Sequence, residues 1–572
     1  MFMEIGHFLN QRLTALGIQH VFGVPGDFNL SYLEQIEEHD ALEFVGNCNE
    51  LNAAYAADGY ARVHGFSALV TTYGVGDLSA LNGIAGAYAE NIPMVHISGI
   101  PPLHAVQSGA LIHHTLVDGN YDNIMNCMKE FTVAQTRLTP ANAAAEIDRV
   151  LKQCFLERRP VHIQLPSDIT HIQIEVDEAP LKFKLTDSDP QILLHVVNEI
   201  TTALAQAKKP IFLVDIEADR FGVTDLIFAI AEKASIPFAS LSTAKNIMNE
   251  SSNLYLGTYV GGASQPHIRQ AVEDSDCLIS IGVRLTDVGT GYFTQQLPQK
   301  YIHLTRQHAT VFSQDYPAVN LQQVLEGVYQ QVPAKKVSKP MLETPVVEKN
   351  VSSVDDQDLL SHDVLWRHVG QFFQDQDIII GEVGTSNSAL SGVRLPQTAK
   401  YISQPVWGSI GYTLPALLGT LFAAPKRRQI LFIGDGSIQL TIQELSTIIR
   451  HDLKPIIFVL NNGGYTIERL ILGEKAVYND IQNWNYTEIG QAFNGKNSYQ
   501  KYIVETVGQL KSTLENLQQS DSMVVIELKL PAMDAPLSLH KFADAVAQYD
   551  YGYTGYQKLK KPTPPPVHKK AI

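Results

Sequence analysis

The chain has 572 residues, 45% of them hydrophobic and 18% charged, with a formal net charge of −16. That composition is globular rather than disordered, and the length asks for about three domains of ordinary size. The acidity argues against nucleic acid or an anionic membrane surface as a partner, and no apolar run approaches the ~20 residues that span a bilayer.

The N-terminus, MFMEIGHFLNQRLTALGI, lacks a cationic start and carries Glu4 early. Ile5, Phe8, Leu9 and Leu13 give it a helical apolar stripe, so it reads as structure and not as a signal peptide. A cytoplasmic location is expected. Four cysteines (Cys48, Cys127, Cys154, Cys277) are scattered with no metal-finger spacing. They read as buried free thiols in a reducing compartment.

Residues 1–180 form a first α/β unit. Strand-like runs at Val21–Val24, Val45–Gly46, Ser67–Thr72 and Met94–Ser98 alternate with helical stretches, and several break into polar or glycine turns. Such alternation implies a mostly parallel sheet. Residues 190–340 form a second unit, with strands at Lys209–Val214 and Cys277–Gly282. It carries no GxGxxG opening a helix and so no dinucleotide fingerprint. Residues 341–359 lie in a polar, Pro- and Lys-containing stretch that reads as a linker, and 360–550 form a third unit. The basic, Pro-rich residues 557–572 read as an extended, mobile tail.

The third unit carries the most informative stretch, RQILFIGDGSIQLTIQELSTIIRHDLKPIIFVLNNGGYTIERLILG, from Arg428 to Gly473. A strand from Gln429 to Ile433 stops at Gly434-Asp435-Gly436-Ser437. An amphipathic helix is expected next, with Leu440, Ile442, Leu445, Ile448 and Ile449 on one face. A second strand, Pro455 to Leu460, ends in Asn461-Asn462-Gly463-Gly464. Ligands bind beyond the carboxyl ends of such strands. Asp435 and Asn462 on adjacent loops offer hard oxygen ligands suited to Mg2+, and the Gly436 and Ser437 amides suit a diphosphate.

GDG alone is a common turn; followed by an NN pair whose second Asn lies 26 positions beyond its last glycine, it is specific. The stretch resembles the cofactor signature of thiamine diphosphate (ThDP) enzymes, and more closely their 2-oxo acid decarboxylase branch. The resemblance covers nearly the whole chain. It implies an α/β fold of three doubly wound parallel-sheet domains, pyrimidine-binding, central and diphosphate-binding in order. It also implies that Asp435, Asn462 and the Gly464 carbonyl hold the metal, within a cofactor site that includes Gly434, Gly436, Ser437 and Thr385. The cofactor then bridges two subunits, making a dimer the smallest active unit, usually paired into a homotetramer.

Glu50, in GNCNELNAAYAADGYAR, follows a strand and opens a helix, where a carboxylate is favoured by the dipole. The resemblance gives it the hydrogen bond to N1′ of the cofactor's aminopyrimidine, leading to the reactive ylide. His113-His114 in GALIHHTLVDG is a mark of the decarboxylase branch. With Asp27 in VPGDFNL and Glu468 in GYTIERL it makes a four-member acid–base set, with histidines titrating nearest neutral pH. Which member moves which proton is not fixed by the sequence.

Ile467 and Ile471 are i,i+4 neighbours for which core packing is an equal reading. The resemblance puts both in the substrate pocket, with Asn387, Ser388, Val288 or Gly289, Phe542 and Val546. It makes Ile410 the wedge that bends the cofactor and the Gly408 carbonyl an acceptor for its 4′-amino group. Small polar residues at Asn387 and Ser388, where relatives for branched-chain substrates carry aromatics, imply a roomier cavity. The expected reaction is non-oxidative decarboxylation of medium to large 2-oxo acids, branched-chain or aromatic, to aldehydes. Pyruvate is the alternative substrate, and a ThDP carboligase or synthase the alternative class, which His113-His114 argues against.

Overall fold

The computed structural model describes residues 1–177, 179–335, 354–493, 499–518 and 520–559. The core of the linker and residues 560–572 of the tail lie outside the described residues. Residues 557–559, expected to be extended, instead end a helix, Leu537–Leu559, that changes direction at Gly552, where φ is 64°.

Three sheets organise the chain. The first sets its strands side by side as Glu43–Gly46, His20–Gly23, Ser67–Thr72, Met94–Ile100, Val161–Pro166 and Gln135–Arg137, all parallel. The third repeats that plan as Lys400–Ile402, Ile378–Gly381, Gln429–Gly434, Ile456–Asn461, Val524–Lys529 and Gln500–Val504, again all parallel. In both, the chain's first strand lies between the second and the third. The winding direction therefore reverses beside that strand, opening a crevice at the carboxyl edge. The central sheet is mostly parallel. Its five strands from Tyr255–Tyr259 through Ile302–Thr305 are parallel, and the hairpin strands His308–Val311 and Gln314–Pro317 extend it antiparallel. Loops of two residues join those last strands, too short for the crossover a parallel pair needs.

Strands buried on both faces read as continuous apolar runs because helices cover both sides. Ile430–Ile433 and Ile456–Leu460 are nearly or fully buried in this way. The N-terminal stripe of Ile5, Phe8, Leu9 and Leu13 is fully buried on helix Ile5–Ala15. The amphipathic helix expected after Gly436 is absent as one element. A four-residue turn Asp435–Ile438, a 3-10 turn Ile442–Glu444 and a helix Leu445–Arg450 replace it. Ile442, Leu445, Ile448 and Ile449 are buried, but Leu440 lies between the pieces and faces outward. The thiols also divide: Cys154 and Cys277 are buried, Cys127 is half-buried, and Cys48 is exposed on the loop before Glu50, its Sγ 3.2 Å from the Gln443 carbonyl. All four are free. No helix among the described residues is long and apolar enough to cross a membrane.

The first and third sheets are joined by two helices, Glu50–His64 and Thr413–Ala423. Their backbones meet at glycines. A Cβ on Gly59 would stand 2.7 Å from Ala416 Cα, and one on Gly419 would stand 2.7 Å from Tyr60 N. A buried polar cluster closes the same crossing. Arg62 Nε donates to Asp58 at 2.6 Å, Arg62 Nη2 to Glu90 at 3.0 Å, and the Tyr412 hydroxyl to Asp58 at 2.5 Å.

Candidate active site

The third sheet puts its two polar turns side by side. Gly434 pairs with Leu460 across adjacent strands, so Asp435 and Asn461-Asn462 emerge as neighbours at the carboxyl edge. Asp435 is buried, and its oxygens are held by main-chain donors: Gly436 N at 2.8 Å on Oδ1, Gly463 N at 2.7 Å and Gly464 N at 3.1 Å on Oδ2. Burial raises its pKa against those hydrogen bonds. Asn462 Oδ1 is buried without a hydrogen-bond partner. A buried acceptor left unmatched is costly unless a cation or water completes it. The Gly464 carbonyl accepts Thr466 N at 3.2 Å and keeps its second lone pair. Carboxylate, amide oxygen and carbonyl are a hard donor set that fits Mg2+.

The turn needs its glycines. Gly463 and Gly464 take φ of 72° and 131°, outside the usual range of side-chain-bearing residues. Arg469 closes it from behind, donating to the Gly463 carbonyl at 2.8 Å and to Asp480 at 2.9 Å. The Gly436 amide donates to Asp435 Oδ1 within the turn. Gly434 is half-buried and Ser437 buried beside it.

Across the neighbouring strand, Thr385 starts a short helix, Thr385–Leu390. Gly408, with φ of 67°, and Ile410 lie on the turn before helix Thr413–Ala423. Glu382 anchors that turn and was missed in the sequence reading. It is buried and accepts Gly411 N at 3.2 Å and the Thr413 hydroxyl at 2.7 Å, and burial pushes its pKa up to about 7. The available signal was a carboxylate directly after the apolar strand Ile378–Gly381.

In the first sheet, Asn49 caps helix Glu50–His64 by accepting Asn52 N at 2.8 Å, which fixes Glu50 as the first helical residue. Glu444 holds that cap from the third domain. It is fully buried and accepts Asn47 Nδ2 at 2.9 Å, Cys48 N at 3.3 Å and Asn52 Nδ2 at 2.8 Å. Asp27, His113 and His114 lie together. His113 Nε2 lies 2.8 Å from Asp27 Oδ2, and His114 Nδ1 lies 3.9 Å from Oδ1. Phe28 stacks on His113 at 5.0 Å between ring centroids. His114 has φ of 63°, and its Nδ1 is buried with no hydrogen-bond partner. Among the described residues no hydrogen bond or ion pair within the chain joins this cluster or Glu50 to Asp435, Asn462 or Glu468.

Glu468 is exposed on helix Thr466–Ile471, and its charge is felt at Tyr292, whose pKa burial pushes up to about 12. Ile467, Ile471 and Phe542 pack around Leu470, Leu539 and Ala543. Tyr292 meets Phe542 edge-on at 5.4 Å between centroids. Val546 is buried on the same helix as Phe542, and Val288 is half-buried beside buried Gly289. Asn387 and Ser388 are small but not free: the Tyr401 hydroxyl donates to Asn387 Oδ1 at 2.7 Å, and Ser388 Oγ lies 2.7 Å from Ser538 Oγ.

The chain is similar to known proteins over nearly its whole length. Residues 3–121 match the family model "Thiamine pyrophosphate enzyme, N-terminal TPP binding domain", 197–331 the central domain and 382–528 the C-terminal TPP binding domain. A pyruvate decarboxylase of Candida glabrata is 39% identical over 556 residues, covering 95% of this chain and 98% of that protein. One from Aspergillus terreus is 40% identical over 560 residues, covering 95% and 97%. An alpha-keto-acid decarboxylase of Mycolicibacterium paratuberculosis is 39% identical over 534 residues, covering 93% and 94%. The chain belongs to the thiamine pyrophosphate enzymes and is a ThDP-dependent 2-oxo acid decarboxylase.

Proposed function

We propose that this decarboxylase prefers medium to large 2-oxo acids, branched-chain or aromatic, and that Asp27, Glu50, His113, His114 and Glu468 carry its proton transfers. The pairing of His113 with Asp27, beside a buried His114 Nδ1 that has no hydrogen-bond partner and lies 3.9 Å from the same carboxylate, is the observation that carries the assignment of roles. Bound ThDP would supply the electron sink for the pair left behind when CO2 departs. Asp435, Asn462 and the Gly464 carbonyl would hold its Mg2+, with Ser437 and Thr385 toward the diphosphate. Glu50 would share a proton with the aminopyrimidine N1′, from a helix start that Glu444 and Asn49 keep in place. His113 and Asp27, already at hydrogen-bond distance, can pass a proton without rearranging. Glu468, exposed on the helix that carries Ile467 and Ile471, would be the fifth member of the set.

The apolar and aromatic character of the cluster of Ile467, Ile471 and Phe542, with Tyr292 against Phe542, supports larger substrates. The relatives named pyruvate decarboxylase favour the smaller acid, so pyruvate is the second reading. One methylene changes discrimination by only ~1–3 kcal/mol in an apolar pocket, so acceptance should be broad. Self-association into a dimer, and a tetramer from two dimers, is supported by exposed Val75, Leu78, Leu111, Leu116 and Leu440 around these loops, apolar groups that a second copy would cover. Four free thiols suit a reducing compartment such as the cytoplasm.

Aldehyde release from pyruvate, 3-methyl-2-oxobutanoate, phenylpyruvate and indolepyruvate, with ThDP and Mg2+, tests the preference. Higher kcat/KM for the larger acids is expected; a preference for pyruvate sinks it. Glu50→Gln tests the roles. It should keep ThDP binding while turnover falls by about 10²–10⁴-fold. Near-normal turnover would remove Glu50 from the centre.

A further inference from the structure

Behind Glu50 lies a chain of buried polar groups to which the proposed mechanism gives no task. Asp77 sits fully buried in the first turn of helix Val75–Ala89. Its Oδ1 accepts the Thr71 hydroxyl at 2.6 Å, and its Oδ2 accepts the Ser98 hydroxyl at 2.9 Å and Gly74 N at 3.0 Å. Thr71 Oγ1 also lies 2.8 Å from His96 Nε2, and His96 Nδ1 lies 3.0 Å from His162 Nδ1. Both rings are fully buried.

The hydrogens in this chain follow from counting. Thr71 has one hydroxyl proton and gives it to the carboxylate, so His96 must donate from Nε2. Neutral His96 then accepts at Nδ1 from His162 Nδ1–H. That leaves His162 Nε2 as a buried acceptor, and it has no hydrogen-bond partner. Burial lowers the pKa of His96 far below its usual value and takes His162 to about 3, with Arg137 adding to the latter, so both rings stay neutral. Every donor in the series points toward Asp77.

The turn that Asp77 caps lies against Glu50. A Cβ on Gly76, the residue before Asp77, would lie 3.3 Å from Glu50 Oε1. Burial pushes the Asp77 pKa up to about 6 against its three hydrogen bonds, and the Glu50 charge adds to that rise. The other titratable groups in its field are His96, Tyr73 on the same turn, and Cys127 from helix Asn123–Met128. Arg137 reaches Tyr73 and His162 rather than Asp77.

We propose that Asp77 is a positioning residue for Glu50. Its carboxylate, oriented by Thr71, Ser98 and the His96–His162 pair, pins the Tyr73–Gly76 turn against Glu50, and a negative charge held there opposes a second one on the Glu50 carboxyl. The inference rests on the reading of Glu50 as the group that meets that ring.

The test is binding, not turnover. ThDP with Mg2+ is titrated into the full-length protein between pH 5.5 and 8.5, followed by quenching of tryptophan fluorescence. Removing a neighbouring negative charge favours ionisation of the remaining carboxyl, so Asp77→Asn should move the midpoint of pH-dependent binding down by about half a unit or more. Ser98→Ala, which deletes one donor to the same carboxylate, should move it the same way by less, and it serves if Asp77→Asn does not fold. Two folded variants with unshifted midpoints would overturn the proposal. Glu50→Gln separates the two layers. If it flattens the pH dependence while the Asp77 and Ser98 variants leave it intact, Glu50 keeps its role and the coupling is wrong. If Glu50→Gln leaves the wild-type profile, the reading of Glu50 fails and the proposal falls with it.

Discussion

Substituting Gly419 by alanine tests the crossing that fastens the first domain to the third. A helix-interior Gly→Ala change is ordinarily stabilising by about 1 kcal/mol through propensity alone. Here the new methyl would stand 2.7 Å from Tyr60 N and 2.8 Å from the Ala56 carbonyl carbon, against an ordinary contact of at least 3.4 Å, and would overlap the Ala56 carbonyl oxygen. Those obstacles are backbone, so no side chain can swing aside. The helices must separate, loosening Ala53, Ala57, Tyr60, Leu417 and the Asp58–Arg62–Tyr412 cluster together. Overpacking of this kind costs about 1–3 kcal/mol or more. For domains of this size that is a fall in Tm of about 3–10 °C. Scanning calorimetry of wild type and variant at one scan rate and protein concentration measures it. A Tm unchanged or raised would mean that propensity outweighs the contact and that the crossing is looser than its geometry indicates. Because helix Glu50–His64 begins at Glu50, weaker ThDP binding should accompany the fall.

Asn462→Ala should weaken Mg2+-dependent ThDP binding by at least about tenfold, read from the Mg2+ concentration at half-saturation, with little change in Tm of the cofactor-free protein. Glu382→Gln reports on pH. The wild-type carboxyl holds its proton more tightly folded than unfolded, with the folded value at about 7, so its contribution is present at pH 4 and lost as pH rises toward 7. The difference in Tm between variant and wild type should therefore move in the variant's favour between pH 5 and 7.5, and a difference flat across that range would refute the assignment. Ser388→Phe should lower kcat/KM for indolepyruvate more than for pyruvate; equal losses would detach that position from selectivity.

The fold was readable where burial is total. Strands covered on both faces, such as Ile456–Asn461, announce themselves as unbroken apolar runs, and Gly434-Asp435-Gly436 and Asn462-Gly463-Gly464 mark where they stop. The segment between them misled because apolar spacing cannot distinguish one helix from two short turns and a short helix, which leaves Leu440 outside. The antiparallel edge of the central sheet was equally hidden, since His308–Val311 and Gln314–Pro317 have only 4 residues each. At the site, residues in a distinctive local motif were identifiable. Glu382, Glu444 and Asp77 were not, because each acts through partners far along the chain or through a turn whose hydrogen bonds only the folded backbone supplies.

The joint between the first and third domains also constrains how the enzyme moves. Glu444 gathers two donors from the loop leading into Glu50 and a third from the first turn of the helix that follows, and the glycine crossing lies a few turns away, so these two domains travel as one body. Opening for substrate entry and product release must then come from lightly held parts, since such steps draw on segments of low local stability. The exposed His113 loop is one. The helix from Leu537 is the other, held to helix Thr385–Leu390 by Ser538, to helix Thr466–Ile471 by the small cluster of Leu539 and Ala543 on Leu470, and to the central domain by ring contacts at Tyr292 and Phe293. Amide exchange should be fast in those two segments and slow through Ala53–Ala61, giving the turnover cycle its hinges at the rim while the centre stays still.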